Sequence, residues 1–119
     1  AFPALVEGRV DGLIVGTSVT QFDPSKKIVR LVAQNRIPAM YPGRQFVEAG
    51  GLISYFANPS DQGHHVAVYV EKILKGAKPG DLPIEQYAKF ELAVNLQTAK
   101  ALFLTIPSAL LHQAVDVFR

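Results

Sequence analysis

Residues 11–41 read DGLIVGTSVTQFDPSKKIVRLVAQNRIPAMY, and their punctuation decides the fold. Asp11-Gly-Leu-Ile-Val-Gly16 is a short apolar run bounded by glycines, which reads as a strand buried on both faces. Asp23-Pro24 supplies an N-cap acceptor with proline at the first helical position. Ile28, Leu31 and Val32 then recur at helical spacing, with Lys26, Lys27 and Arg30 on the outer side. The helix is expected to stop near Asn35, because Ile37 precedes Pro38 and is biased away from helical angles. Pro38-Ala-Met-Tyr41 follows as a second strand. Strand, helix, strand in this span is the βαβ unit of a parallel sheet.

The same alternation extends outward. Residues 4–8 predict the last turn of a helix ending at Gly8, and residues 44–49 a short helical turn before Gly50-Gly51. Leu52-Ile-Ser-Tyr-Phe56 predicts a third strand. Asn58-Pro59 repeats the helix-start signal, and a long helix runs to Gly76 with Val66, Tyr69, Val70, Ile73 and Leu74 inward and Glu71–Lys75 as an outer i, i+4 pair. After the loop Lys78-Pro-Gly-Asp-Leu-Pro83, Phe90–Asn95 predicts a fourth strand. Two closing helices are expected over 97–103 and 107–118, the second striped by Leu110, Leu111, Ala114, Val115 and Phe118. The expected fold class is therefore α/β with a parallel sheet. Four short strands make a thin version of such a sheet, and the chain is expected to be truncated at its N-terminus.

Composition narrows the function classes. Of 119 residues, 49% are hydrophobic and 18% charged, which excludes a disordered chain. Twelve Lys and Arg against ten Asp and Glu leave a net charge of +2, scattered along the chain, so no basic stripe points to nucleic acid. There is no cysteine, hence no disulfide or thiolate metal site. No apolar run reaches the length of a membrane span. The opening residues lack the basic and apolar regions of a signal peptide.

Catalytic constellations fail one by one. His64 and His65 are adjacent, so on a helix they point about 100° apart and do not share one ion easily. His112 reads as solvated. No G-x-S-x-G elbow, phosphate-binding glycine loop or dinucleotide fingerprint is present, nor the acidic cluster of a receiver domain. Asp11, Asp23, Glu48 and Asp61 each serve as strand entry, cap or loop residue. The expectation is a non-enzyme without cofactor or metal. The positive signal is positional: in open α/β sheets ligands sit outside the carboxyl ends of the strands. Three segments arrive there, offering Thr17 and Ser18, Tyr41 and Arg44, and Ser54 and Tyr55. Hydroxyls, a guanidinium and aromatic faces suit a small organic ligand with a polar head and an apolar body.

Arg36-Ile-Pro-Ala-Met-Tyr41, Arg44-Gln-Phe-Val-Glu-Ala-Gly-Gly-Leu-Ile-Ser-Tyr55, Tyr69-Val-Glu-Lys-Ile-Leu-Lys-Gly-Ala-Lys-Pro79, Asp81-Leu-Pro-Ile-Glu-Gln86 and Phe90-Glu-Leu-Ala-Val-Asn-Leu-Gln-Thr-Ala-Lys-Ala-Leu102 resemble, in order, the final third of the ABC-transporter substrate-binding family that includes the TrpX-like, tryptophan-binding proteins. The resemblance runs from Ala1 to Arg119. It implies a type I periplasmic-binding-protein fold, in which two α/β lobes close over a ligand. It assigns residues 1–50 to the second lobe, 51–83 to a crossover strand and a helix packing on the first lobe, and 84–119 to the return crossover and C-terminal helices. Tyr55 falls at the hinge. The implied role is the solute-binding component of an ABC importer, periplasmic or held at the cell surface as a lipoprotein, with a transporter permease as partner. The ligand would be a small molecule, with an aromatic or branched-chain amino acid among the candidates. The chain departs from the family pattern at Phe56 and Phe103, where glycine is usual, and at Gly16-Thr17-Ser18 in place of Pro-Asp.

Without the rest of such a fold, the helix after Asn58 presents Val66, Tyr69, Val70 and Ile73 to a missing sheet. Their burial is worth roughly 6–10 kcal/mol, which predicts self-association or element swapping between copies. The competing readings are an effector-binding domain of a transcription regulator, which shares the fold, and an α/β enzyme domain.

Overall fold

A computed structural model describes residues 2–16, 25–86 and 89–119. Its contacts divide the chain into one unit made of residues 1–56 with 91–119, and a second made of residues 57–90.

The first unit is built on a five-stranded sheet in the order β1(Leu13–Ile14), β2(Ala39–Tyr41), β3(Ile53–Ala57), β4(Phe90–Asn95), β5(Ala114–Phe118). β1–β2, β2–β3 and β4–β5 are parallel. The βαβ unit is as its punctuation predicts: helix α1(Phe2–Glu7) precedes β1, and α2(Ser25–Gln34) connects β1 to β2. The Asp23-Pro24 start lies outside the described residues. Val29 and Val32 are the buried stripe of α2 and form one core cluster with Ile37, Ala39, Tyr41 and Phe46. Phe2, Leu13, Val15 and Ile28 pack on that cluster from its rim.

The end of α2 is a Schellman closure. Arg36 takes a left-handed φ of 51°, its N–H reaches the Ala33 carbonyl, and the Ile37 N–H reaches back to the Val32 carbonyl. Buried Ile37 and Val32 supply the apolar contact that usually accompanies the motif. A second turn joins α3(Arg44–Glu48) to β3 through two glycines with different reasons for being there. Gly50 sits at φ 107°, which L side chains rarely adopt. At Gly51 a Cβ would lie 2.7 Å from Cε2 of Tyr41, so the position is limited by space.

Two expectations need correction. The first strand is not buried on both faces: Leu13 and Val15 pack on the core, but Ile14, opposite Met40 in the ladder, is 80% exposed. β1 is an edge strand, and none of the described residues covers its second face. The chain also ends in a strand, giving five strands and not four. Helix α5(Leu96–Ala101) follows β4, but α6(Ser108–Gln113) stops five residues early and 114–118 runs alongside β4. Apolar residues at 110, 111, 114, 115 and 118 satisfy a helical stripe. Ala114-Val-Asp-Val-Phe118 satisfies a two-residue alternation equally well, and β4 offers it a ladder. The pairing shifts register between Leu92 and Ala93, the mark of a bulge.

The second unit is the helix α4(Pro59–Leu74) with the segment that returns along it. Asn58 caps α4, its side-chain oxygen accepting from the Ser60 N–H at 2.9 Å. Gly76, at φ 105°, closes it, with the Ala77 N–H bonded to the Lys72 carbonyl. A 3-10 turn at Pro79–Asp81 reverses the chain. The Tyr69 hydroxyl then donates to the Pro83 carbonyl at 2.7 Å, and Lys89 pairs with Asp61 at 2.9 Å. Burial and the neighbouring Glu85 charge push the Tyr69 phenol above its ordinary range. No residue of α4 is buried; Val66, Val70, Ile73 and Leu74 lie exposed within this unit.

Candidate ligand-binding site

The strands of the first unit bring several polar side chains to their carboxyl ends, and pleating decides which way each points. Thr17 and Ser18, expected after β1, lie outside the described residues. Tyr41, at the end of β2, is a core residue and not a surface group: it is 2% exposed and stacks on Phe46, with ring centroids 5.2 Å apart and planes 16° from parallel. Burial pushes its phenol up to about 12, so the hydroxyl keeps its proton at neutral pH. Ser54 is the ladder partner of Tyr41 and shares its face. It is fully buried, and its Oγ has no hydrogen-bond partner among the described residues. A buried hydroxyl left unpaired costs about 1–3 kcal/mol, so Ser54 is an unexplained polar group inside the packing and not a group offered at the surface.

Tyr55 alternates to the opposite face and is half exposed. It stands with Ile53 and Met40 on the sheet face away from the core cluster, where Ile14 is also uncovered. Arg44 is exposed but engaged. Its Nε meets Glu48 Oε1 at 2.8 Å and its Nη1 meets Asp116 Oδ2 at 2.9 Å. The guanidinium lies 5.7 Å above the Phe118 ring. One cation against two carboxylates leaves the group net negative, so a ligand carboxylate would compete with two resident ones. Where the sequence predicted only a polar head for the ligand, the arrangement suits an ammonium better than a carboxylate.

The sequence reading missed Asp116 and Phe118 because it placed them on a helix. Read as a strand, Ala114-Val-Asp-Val-Phe118 puts both on one face, and that pairing was the available signal. It also missed Asn95. This buried residue ends β4 and caps α5, accepting from the Thr98 N–H at 3.1 Å while its Nδ2 donates to the Val47 carbonyl at 3.3 Å. Thr98 in turn donates its hydroxyl to the Gly50 carbonyl at 2.7 Å. The α3–β3 turn is thus tied to the β4–α5 corner by side chains. Among the described residues no group of three His, Cys, Asp or Glu is arranged to hold a metal, and no helix is long and apolar enough to cross a membrane.

A family model described as ABC transporter substrate binding protein matches residues 4–118. The chain belongs to that family. Solved structures agree with the fold. A conserved domain protein from Vibrio cholerae superposes with a TM-score of 0.85 at 26% identity, over 98% of this chain and 39% of its own. A domain from Streptococcus pneumoniae, solved in complex with L-Trp, gives 0.83 at 26% identity over 98% and 40%. The ligand-free, open form of a substrate binding protein with adhesive properties from Clostridium difficile gives 0.70 at 26% identity over 98% and 39%. The chain therefore spans about two fifths of the length of these relatives. A search among curated proteins gives no match. The mostly parallel α/β sheet is that of the type I periplasmic binding proteins.

Proposed function

We propose that this chain forms part of the solute receptor of an ABC importer, working outside the cytoplasmic membrane and handing a small molecule to a transporter permease. The observation that carries the reading is the family match over residues 4–118. The ligand class is an amino acid. The S. pneumoniae neighbour was solved with L-Trp, and the net negative Arg44–Glu48–Asp116 group offers an ammonium a partner. Thr17, Ser18 and Tyr55 contact the ligand. Arg44 acts as a positioning residue that fixes the turn after β2 against the C-terminal strand. Tyr41 and Ser54 serve packing beneath them. Residues 1–50 and 84–119 contribute to one lobe, and the crossover beginning at residue 51 supplies α4 to the other. The compact second unit, residues 57–90, suggests that this crossover piece runs past residue 83.

The test is calorimetry and thermal shift on the full-length protein with the L-amino acids and their N-acetyl derivatives. One or a few free amino acids should bind, and at a hundredfold excess over Kd should add about 2.7 kcal/mol of stability. Removing the ring by Tyr55→Ala should weaken binding about tenfold, the scale of one buried aromatic contact. N-acetylation should abolish it. Equal binding of the acetylated form would refute the ammonium contact, and absence of any amino-acid ligand would refute the class.

A further inference from the structure

The first unit holds a cavity beside the α3–β3 turn and the β4–α5 corner, reaching Tyr41 at the end of β2. It lies between α2 and α5 and encloses about 220 Å³. Small residues create it. Ala39 and Ala101 line it, and Gly50 and Gly51 carry no side chain to fill it. Both glycines are fixed for other reasons, one by its φ and one by the Tyr41 ring, so the void follows from the turn geometry. The remaining wall is largely apolar, with Val32, Leu52 and Leu102.

Two polar groups converge on this space. The Thr98 hydroxyl donates to the Gly50 carbonyl and keeps its acceptor lone pairs. Arg36 also lines the cavity. Its backbone is left-handed, at φ 51°, in the helix-closing position where glycine is preferred. A non-glycine residue there costs of order 1 kcal/mol, yet the sequence has a long cation at that point. No carboxylate among the described residues pairs with it. Strained backbone that brings an unpaired charge to the edge of an apolar cavity is the kind of outlier from which a site is inferred.

We propose that this cavity is a second small-molecule site, taking a small aromatic or branched monocarboxylate with its apolar body between α2 and α5 and its carboxylate on Arg36. A cavity of about 150 Å³ suffices to hold benzene, so 220 Å³ accommodates a ring with one substituent. Neither Arg44 nor Tyr55 lines it, and Tyr55 takes the opposite face of the sheet, so it is separate from the proposed solute site and suits an effector that acts on the lobe from its core side.

The test is an NMR titration of the isotope-labelled 119-residue chain with benzoate and with its uncharged analogue benzyl alcohol. Benzoate should give saturable shifts centred on the methyls of Val32, Leu52 and Leu102. Arg36→Gln should weaken benzoate about fivefold, the scale of a partly exposed charge pair, and leave benzyl alcohol unchanged. Ala101→Phe, which fills the cavity from a helix surface position, should abolish both titrations while retaining the folded spectrum. Tyr55→Ala should alter neither. Shifts that never saturate, or that persist in Ala101→Phe, would overturn the site. Equal response of both probes to Arg36→Gln would overturn the carboxylate assignment. Loss of the titration in Tyr55→Ala would move the probe to the solute site and overturn the proposal as well.

Discussion

Gly51→Ala probes the tightest point of the first unit. A Cβ at this position would stand 2.7 and 2.9 Å from two ring carbons of Tyr41 and 2.8 Å from the carbonyl oxygen of Phe46. Favourable carbon–carbon contact lies near 3.5–4.0 Å, so all three contacts are well inside the repulsive range. The ring has little room to yield, being 2% exposed and stacked on Phe46. The carbonyl is held as well, since it accepts the Gly51 N–H at 2.8 Å. Overpacking of this kind costs about 1–3 kcal/mol, and three simultaneous contacts argue for the upper end. Against this, alanine narrows the unfolded ensemble and returns about 0.4–1 kcal/mol. The expected net loss is about 2 kcal/mol.

Urea unfolding followed by far-UV circular dichroism measures it. The midpoint should fall with an unchanged m-value, because the same surface is exposed on unfolding. A double-mutant cycle then separates the two obstacles. In a Tyr41→Leu background the ring contacts vanish and the carbonyl contact remains, so the penalty of Gly51→Ala should drop to about half without disappearing. A loss below about 0.5 kcal/mol in the parent, the level of an ordinary surface change, would refute the close-approach argument. An equal penalty in both backgrounds would show that Tyr41 is not the obstacle.

Two further outcomes follow from the packing. Tyr41 has its phenol raised from 10.0 to about 12 by burial, so the folded state holds that proton more tightly than the unfolded chain. Its contribution is intact below pH 10 and is lost as pH rises through 12, at about 1.4 kcal/mol per pH unit; alkaline urea titrations should show this extra slope in the parent and not in Tyr41→Phe, and parallel curves would contradict it. For the apolar face of α4, Val66, Val70 and Ile73 are 61, 47 and 41% exposed, so about half of the burial free energy of these three side chains, about 2–4 kcal/mol, is still available. After the cost of association, the 119-residue chain should show weak, concentration-dependent dimers in sedimentation velocity, weakened further by Val70→Lys; a compact monomer at every concentration would discard self-association.

The βαβ unit was legible because its signals are local and agree. Helical spacing and the residue before Pro38 work without reference to the rest of the chain, and α4 is bounded just as locally by its Asn58 cap and Gly76. What failed depended on partners. Whether Ile14 is covered is a property of the sheet edge and not of the run Leu-Ile-Val. Whether residues 114–118 continue a helix depends on β4 lying beside them, with partners such as Leu92 and Ala114 far apart in sequence. The site suffered from the same cause. Tyr41 ends β2 and Arg44 follows it, whereas Ser54 and Tyr55, expected at the end of the third strand, fall second and third in β3; position along a strand does not in any case say which face a side chain takes. Ladder register does: it puts Tyr41 and Ser54 together on the buried face and Tyr55 on the other. The charge of the site changed for a related reason. Arg44 with Glu48 alone is a neutral pair, yet once β5 brings Asp116 to it the group is net negative. A single mistaken helix at the C-terminus thus hid the carboxylate that decides the charge of the ligand group that the strand ends favour.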